Sequence, residues 1–346
     1  MIDLRRARVL VTGGAGFIGS ALVWGLNQRG ASRIVIADRL GTSSKWRNLR
    51  ALQYEDYVEA ADLLEQLEHG TLGAFDLVLH MGACSATTEP DATYLVRNNY
   101  EFSKQLAMWT VRHGSSMVYA SSAATYGDGT AGMDDDPASI ERLRPLNMYG
   151  YSKLLFDRWA REHGLLSRIA GLRFFNVFGP NEGHKGDMRS VVHKSVAQVQ
   201  AEGVVRLFRS HHPDFGDGEQ QRDFVYVKDV VDMTLHLASR SATGLFNIGS
   251  GEAHTWLDLV RPIFAALDIP ERIEFIDMPE VLRGTYQYHT RADVSRLRAA
   301  GYTERPTPLA EAVAEYVTEY IVPGRHLGDE LRERRTCLPF LREEEE

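Results

Sequence analysis

The sequence predicts an α/β protein, a doubly wound parallel sheet with a smaller α/β domain interleaved with it. Three observations carry that expectation. Short β-rich apolar runs alternate with helical stretches through the first half of the chain. A glycine-rich turn joins the first run to the first helix. Beyond residue 175 the alternation loosens into loops and isolated strand-like segments. At 346 residues the chain exceeds what one core needs and suits a large domain with a smaller partner.

Residues 8–12 read as a buried strand. A helix follows through Ala21, Leu22 and Leu26 and stops near Gly30. Residues 33–37 form the second strand, closed by Asp38. Two more strands are expected at 76–80 and 116–120, with a helix over about 91–113 between them. A helix from about Tyr149 then leads into a strand over 168–175. Gly179, Pro180 and the 210–221 segment, with Pro213, Gly216 and Gly218, read as loops. Strand character returns at 224–227 and 245–249. The expected division gives 1–175, 226–252 and 287–301 to the dinucleotide domain. It gives 176–225, 253–286 and 302–324 to the substrate domain. The charge-rich 325–346, closing on four glutamates, reads as a solvated tail.

Composition narrows the partners. A formal net charge of −8 argues against nucleic acid and anionic membranes. Two cysteines, Cys84 and Cys337, supply no disulfide framework, which suits a reducing cytoplasm. No apolar run reaches the roughly 18 residues of a spanning helix. The first strand and glycine turn leave no room for a signal peptide before them. No metal site is expected.

Gly13, Gly16 and Gly19 form G-x-x-G-x-x-G between strand and helix. One glycine permits the sharp turn, one the approach of backbone to a pyrophosphate, and one the packing of helix on sheet. The helix N-terminus offers unpaired N–H groups and the positive end of its dipole. This is the Rossmann signature, and Asp38 at the end of the second strand should reach the adenosine ribose. An aspartate there favours NAD. Arg39 and Lys45 close by can pair with the 2′-phosphate of NADP, and the balance leans to NADP.

Tyr149 and Lys153 form Y-x-x-x-K, which places both on one helix face. A phenol titrates near 10 and is a poor base at neutral pH. A nearby ammonium and a positive nicotinamide ring lower that value toward the working range. Ser122, just beyond a strand end, can hold a substrate oxygen beside the tyrosine.

These motifs resemble the extended short-chain dehydrogenases that remodel nucleotide sugars. Within that group the chain is similar to the 6-epimerase family acting on ADP-linked heptoses. The likeness runs from Val9 to about Tyr320. Its most specific stretches are 80–85, 119–127, 145–153, 173–186, 222–227 and 298–302. The resemblance implies that C6 of ADP-D-glycero-D-manno-heptose is inverted to the L-glycero form through transient oxidation by bound NADP, in lipopolysaccharide inner-core synthesis. The two epimers present their hydroxyls differently, so two acid/bases are implied, Tyr149 and Lys185. Lys185 needs a depressed pKa, through desolvation or a neighbouring cation. The resemblance also places Phe17, Ile18, Asp38, Arg39, Lys45, Met81, Gly82, Ala83, Cys84, Ser85, Asn98 and Val177 at the cofactor, with Tyr149 and Lys153. Cys84 would contribute backbone lining rather than a reactive thiol. Ser122, Asn176, Lys185, Asp187, Lys194, Phe208, Arg222 and Tyr286 fall at substrate positions, with the Arg222 fork suited to a diphosphate. A homo-oligomer, a pentamer, is implied as well.

The chain departs from the family pattern in places. Asp187 replaces a serine, Ala60 a cofactor-side lysine, and Lys194 a histidine unless His193 takes that role. The 210–221 loop is longer than the family's. A UDP-hexose 4-epimerase is one alternative, but it needs no Lys185. A 4,6-dehydratase would carry an Asp-Glu pair where Ala123 and Ala124 stand. A non-catalytic NAD(P)-binding regulator would have no reason to keep Ser122, Tyr149 and Lys153 together.

Overall fold

The computed structural model describes residues 1–284 and 286–329. Its centre is a seven-stranded parallel sheet. The strands are β1 Val9–Thr12, β2 Ile34–Asp38, β3 Asp56–Glu59, β4 Leu77–His80, β5 Ser116–Ser122, β6 Ile169–Phe174 and β7 Gly244–Ile248. Their spatial order is β3-β2-β1-β4-β5-β6-β7. The order reverses between β1 and β4, and such a switch point opens a crevice at the carboxyl ends of the strands. Both neighbours of β1 are in register with it, Val9 facing Ile34 on one side and Leu77 on the other.

β1, β2, β4, β6 and β7 are buried along their whole length. A parallel sheet covered by helices on both faces has no solvent side, so its strands read as unbroken apolar runs. One face packs against α1 Phe17–Gln28, where Leu22 and Leu26 meet Val230 and Val231. The other packs against α2 Phe102–His113 and α3 Met148–Glu162 through Leu106 and Leu154. Gly25 lets α1 approach its neighbouring helix closely, since a Cβ there would lie 2.2 Å from Val231 Cγ1.

The expected parallel α/β sheet is observed. β3, an edge strand, was not anticipated. Of its residues Asp56 is exposed, Tyr57 and Glu59 are half-buried and only Val58 is buried, so it lacks the apolar run that marks the interior strands.

After β6 the chain leaves the main sheet, rejoins it once, and otherwise forms three two-stranded pairs. Asn176–Phe178 pairs with Phe224–Tyr226, Gln221–Arg222 with His254–Thr255, and Val205–Phe208 with Ile273–Ile276. Gly244–Ile248 returns between them to extend the main sheet beside β6. The head of the expected tail is packed rather than solvated. Leu327 is fully buried, its N–H donates to Asn181 Oδ1 at 3.0 Å, and Asp329 pairs with Arg50 at 2.7 Å. The remainder, 330–346, lies outside the described residues.

Candidate active site

The glycine turn sits at the switch point because its residues leave room for nothing else. Gly13 has φ +66°, and a Cβ on it would come within 2.7 Å of Gly82 Cα in the loop after β4. Gly16 caps α1 with no side-chain hydrogen bond, so the first N–H groups of the helix stay available. A Cβ on Gly19 would lie 2.0 Å from the Gly13 carbonyl oxygen, which fixes the helix against its own turn.

Asp38 is nearly buried and its carboxylate is fully engaged. Oδ2 accepts from Ala15 N at 2.8 Å, and Oδ1 accepts from Arg39 N at 2.6 Å and Lys45 Nζ at 2.5 Å. The expected division of labour is therefore altered. Lys45 is bound to Asp38 instead of standing open for a phosphate, and Asp38 staples the turn. Arg39 is exposed and, among the described residues, has no carboxylate partner.

One cavity of about 590 Å³ brings most of the predicted residues together. It is lined by Gly13, Gly16, Phe17, Ile18, Gly19, Asp38, Arg39, Lys45, Met81, Gly82, Ala83, Ser85, Ser122, Tyr149, Lys153, Val177 and Lys185. Cys84 and Asn98 line an adjoining cavity with Ala60 and Tyr94, on the other side of the Asp38–Lys45 pair. The glycine cradle, the open helix N-terminus and a cavity of this size fit a dinucleotide.

The first of these cavities also holds the acid/base candidates. Asn147 caps α3 by accepting from Gly150 N at 2.8 Å, which starts the helix at the right place for Tyr149 and Lys153. Lys153 is buried and its Nζ donates to the Ala120 carbonyl at 2.8 Å. Burial lowers its pKa to about 8 against the pull of Asp157. The tyrosine differs from expectation. Burial raises the Tyr149 phenol above its ordinary value; the hydrogen bond with Ser122 only partly opposes this. The protein alone therefore holds Tyr149 as the neutral phenol.

Lys185 lines the same cavity from a helical turn over Gly183–Met188, its Nζ 5.1 Å from the Phe17 ring. Burial lowers its pKa, and Glu182 opposes the shift. Three residues the sequence reading did not select hold that helical turn. Asn48 Nδ2 donates to the carbonyls of Ala15 and Asn181, each at 3.0 Å, and lies 3.3 Å from His184 Nδ1. Asn181 has φ +76° and donates to Ser20 Oγ at 3.0 Å. His184 lines the cavity, with burial and the charges of Lys45 and Lys185 taking its pKa down to about 4. The clamp ties the glycine turn to the lysine loop. Its only trace in the sequence was the turn-prone asparagine and glycine around Pro180.

The predicted substrate residues are more scattered. Asn176 is exposed beside Val177, Asp187 is exposed, and Lys194 donates to the Asp187 carbonyl at 3.4 Å. Phe208 is half-buried at the end of its short strand. Arg222 and Tyr286 do come together, with the guanidinium 5.0 Å from the Tyr286 ring and 5.7 Å from that of Trp256. Trp256 Nε1 donates to Tyr286 Oη at 2.8 Å. Arg222 is buried, which depresses its pKa, and one nitrogen donates to the Gln221 carbonyl. Such a caged cation retains donors for an anion. Trp256 was not foreseen.

Residues 9–249 match the NAD dependent epimerase/dehydratase family. An ADP-L-glycero-D-manno-heptose-6-epimerase of Nitratidesulfovibrio vulgaris is 54% identical over 314 residues, 90% of this chain and 97% of that protein. The crystal structure of the Helicobacter pylori ADP-L-glycero-D-manno-heptose-6-epimerase superposes with a TM-score of 0.78 at 27% identity, over 92% of this chain and 97% of that one. A Thermus thermophilus UDP-glucose 4-epimerase in complex with NAD gives a TM-score of 0.72 at 25% identity, over 92% and 99%.

Proposed function

We propose, from the premise that this chain belongs to the NAD dependent epimerase/dehydratase family, that it inverts C6 of the heptose in ADP-D-glycero-D-manno-heptose, giving the L-glycero epimer for the lipopolysaccharide inner core. The observation that carries the reading is the meeting of two proton-handling groups in one cavity. Tyr149, Ser122 and Lys185 line the same cavity as the glycine cradle. When bound, NADP would supply reversible acceptance and return of a hydride at the sugar carbon.

The chain's own residues do the rest. Ser122 holds the reacting oxygen beside the Tyr149 hydroxyl. Tyr149 takes or gives the hydroxyl proton of one epimer. Lys185, half-buried and drawn toward its neutral form, does so for the other. The Arg222 cage with Trp256 and Tyr286 suits the diphosphate and adenine of the substrate, leaving the heptose directed at the cavity. NADP rather than NAD is favoured by Arg39, whose guanidinium is open, and by Asp38, whose oxygens are already occupied. A cytoplasmic homo-oligomer, a pentamer by resemblance, completes the reading; sedimentation of the purified protein tests the assembly.

The deciding experiment incubates cofactor-loaded protein with ADP-D-glycero-D-manno-heptose and separates the C6 epimers by anion-exchange chromatography. Appearance of the L-glycero form is expected. Interconversion of UDP-glucose and UDP-galactose without it would return the chain to the 4-epimerases.

A further inference from the structure

One turn beyond Lys153 on α3 lies a polar cluster closed to solvent. The Asp157 and Arg173 side chains are both 0% exposed, and they form an ion pair at 3.1 Å. Arg173 reaches from β6 and donates Nε and Nη2 to Asp157 Oδ2 at 3.2 and 3.1 Å. β5 contributes Tyr119, which donates to Asp157 Oδ1 at 2.9 Å, and Ser121, which donates to Oδ2 at 3.0 Å. A buried pair is a poor device for stability alone, because desolvating two charges offsets much of their attraction.

Its position gives it a second use. Asp157 follows Lys153 by four residues, one turn along the same helix face. Lys153 is itself buried, with Ala120 as its hydrogen-bond acceptor. The groups around it come from every neighbouring element. Tyr149 and Asp157 lie on its own helix, Cys84 on the loop after β4, and His80 at the end of β4. Tyr119 lies on β5 and Arg173 on β6. His80 is held neutral, with a pKa near 3, by burial and by Lys153. Asp157 is the carboxylate of this set, and its attraction is the largest influence opposing the desolvation of Lys153.

We propose that Asp157 is a positioning residue for the reaction: its carboxylate, fixed by Arg173, Tyr119 and Ser121, keeps the Lys153 side chain protonated and directed at the Ala120 carbonyl beside Tyr149. The inference rests on the reading of Tyr149 as an acid/base of the proposed reaction, with Lys153 as the ammonium one helical turn along from it. Arg173 supplies the countercharge that lets a carboxylate occupy a closed site.

The chain has six lysines, so the full-length protein labelled with ¹³Cε-lysine gives few side-chain signals to follow. Lys153 is assigned by its loss in Lys153→Arg. It should titrate near pH 8 in the parent and about one unit lower in Asp157→Asn. The charged lysine is the active form, so activity falls as pH rises through its pKa. The alkaline limb of the epimerisation profile should therefore move down with the titration. Tyr119→Phe loosens the same network but keeps the carboxylate, and should leave Lys153 where it was. If Asp157→Asn does not fold, Asp157→Asn/Arg173→Gln removes both charges and should show a downward shift smaller than the single variant's, because the Arg173 cation lost with the carboxylate disfavoured the Lys153 ammonium. A folded single or double variant with parental Lys153 titration overturns the proposal, as does an equal shift in Tyr119→Phe. The titration is read without substrate, so failure of the epimerase reading and failure of this inference are separate results.

Discussion

In the proposed two-base reaction, Tyr149 and Lys185 reach their chemistry by opposite routes. Desolvation pushes a phenol toward its neutral, proton-holding form and pushes an ammonium toward its neutral, proton-accepting form. The same cavity thus prepares one group to give a proton and the other to take one. Tyr149→Phe and Lys185→Ala should each slow epimerisation by roughly 10²- to 10⁴-fold, the usual contribution of a positioned acid/base, while NADP still binds. Steady-state rates and cofactor fluorescence check both points. A Lys185→Ala protein with the parental rate would remove the two-base reading. Arg39 offers a second test at this scale. Arg39→Ala should weaken NADP more than NAD, because it removes a cation that only the 2′-phosphate would engage; equal losses in titration calorimetry would mean that Arg39 does not read that phosphate.

Among the elements, the glycine turn has the least freedom. Gly19 sits one helical turn beyond Gly16, and any side chain there meets the Gly13 carbonyl oxygen, a backbone atom that cannot swing away. Gly19→Ala should cost about 1–3 kcal/mol from overpacking and lose cofactor affinity as the helix N-terminus is displaced. Thermal melts with and without NADP measure both, and a variant with parental Tm and affinity would show that the turn has slack. The lysine loop depends on a longer-range device. Asn48 bonds to a carbonyl 33 residues upstream and to another 133 residues downstream. The spacing between cradle and Lys185 is therefore held by the Asn48 and Asn181 side chains, which tie the two segments together.

Acid should weaken the molecule as a whole through its buried neutral histidines. His80 receives a hydrogen bond at Nδ1 from Thr12 and meets Ser103 at Nε2, at 2.6 and 2.8 Å, with a pKa of about 3; His184 stands near 4. Both values lie below the ordinary 6.5. The stability they contribute is therefore complete above that pH and is lost as pH falls toward their folded values. For His80 this amounts to about 3 kcal/mol by pH 4. Urea midpoints from pH 7 to 4 should fall more steeply in the parent than in His80→Gln, and parallel curves would rule His80 out as the cause. What the sequence by itself determined is local. The glycine spacing, the four-residue step from Tyr149 to Lys153 and the apolar runs of the buried strands each follow from backbone geometry within one or two turns. Tertiary structure decided the rest. It bound Lys45 to Asp38, kept the Tyr149 phenol neutral, caged Arg222 between Trp256 and Tyr286, and set His184 against Asn48. Each of these joins separate segments of the chain through burial or a shared charge. Desolvation and Coulomb interaction depend on distance in space, and residue spacing along the chain carries no record of that distance.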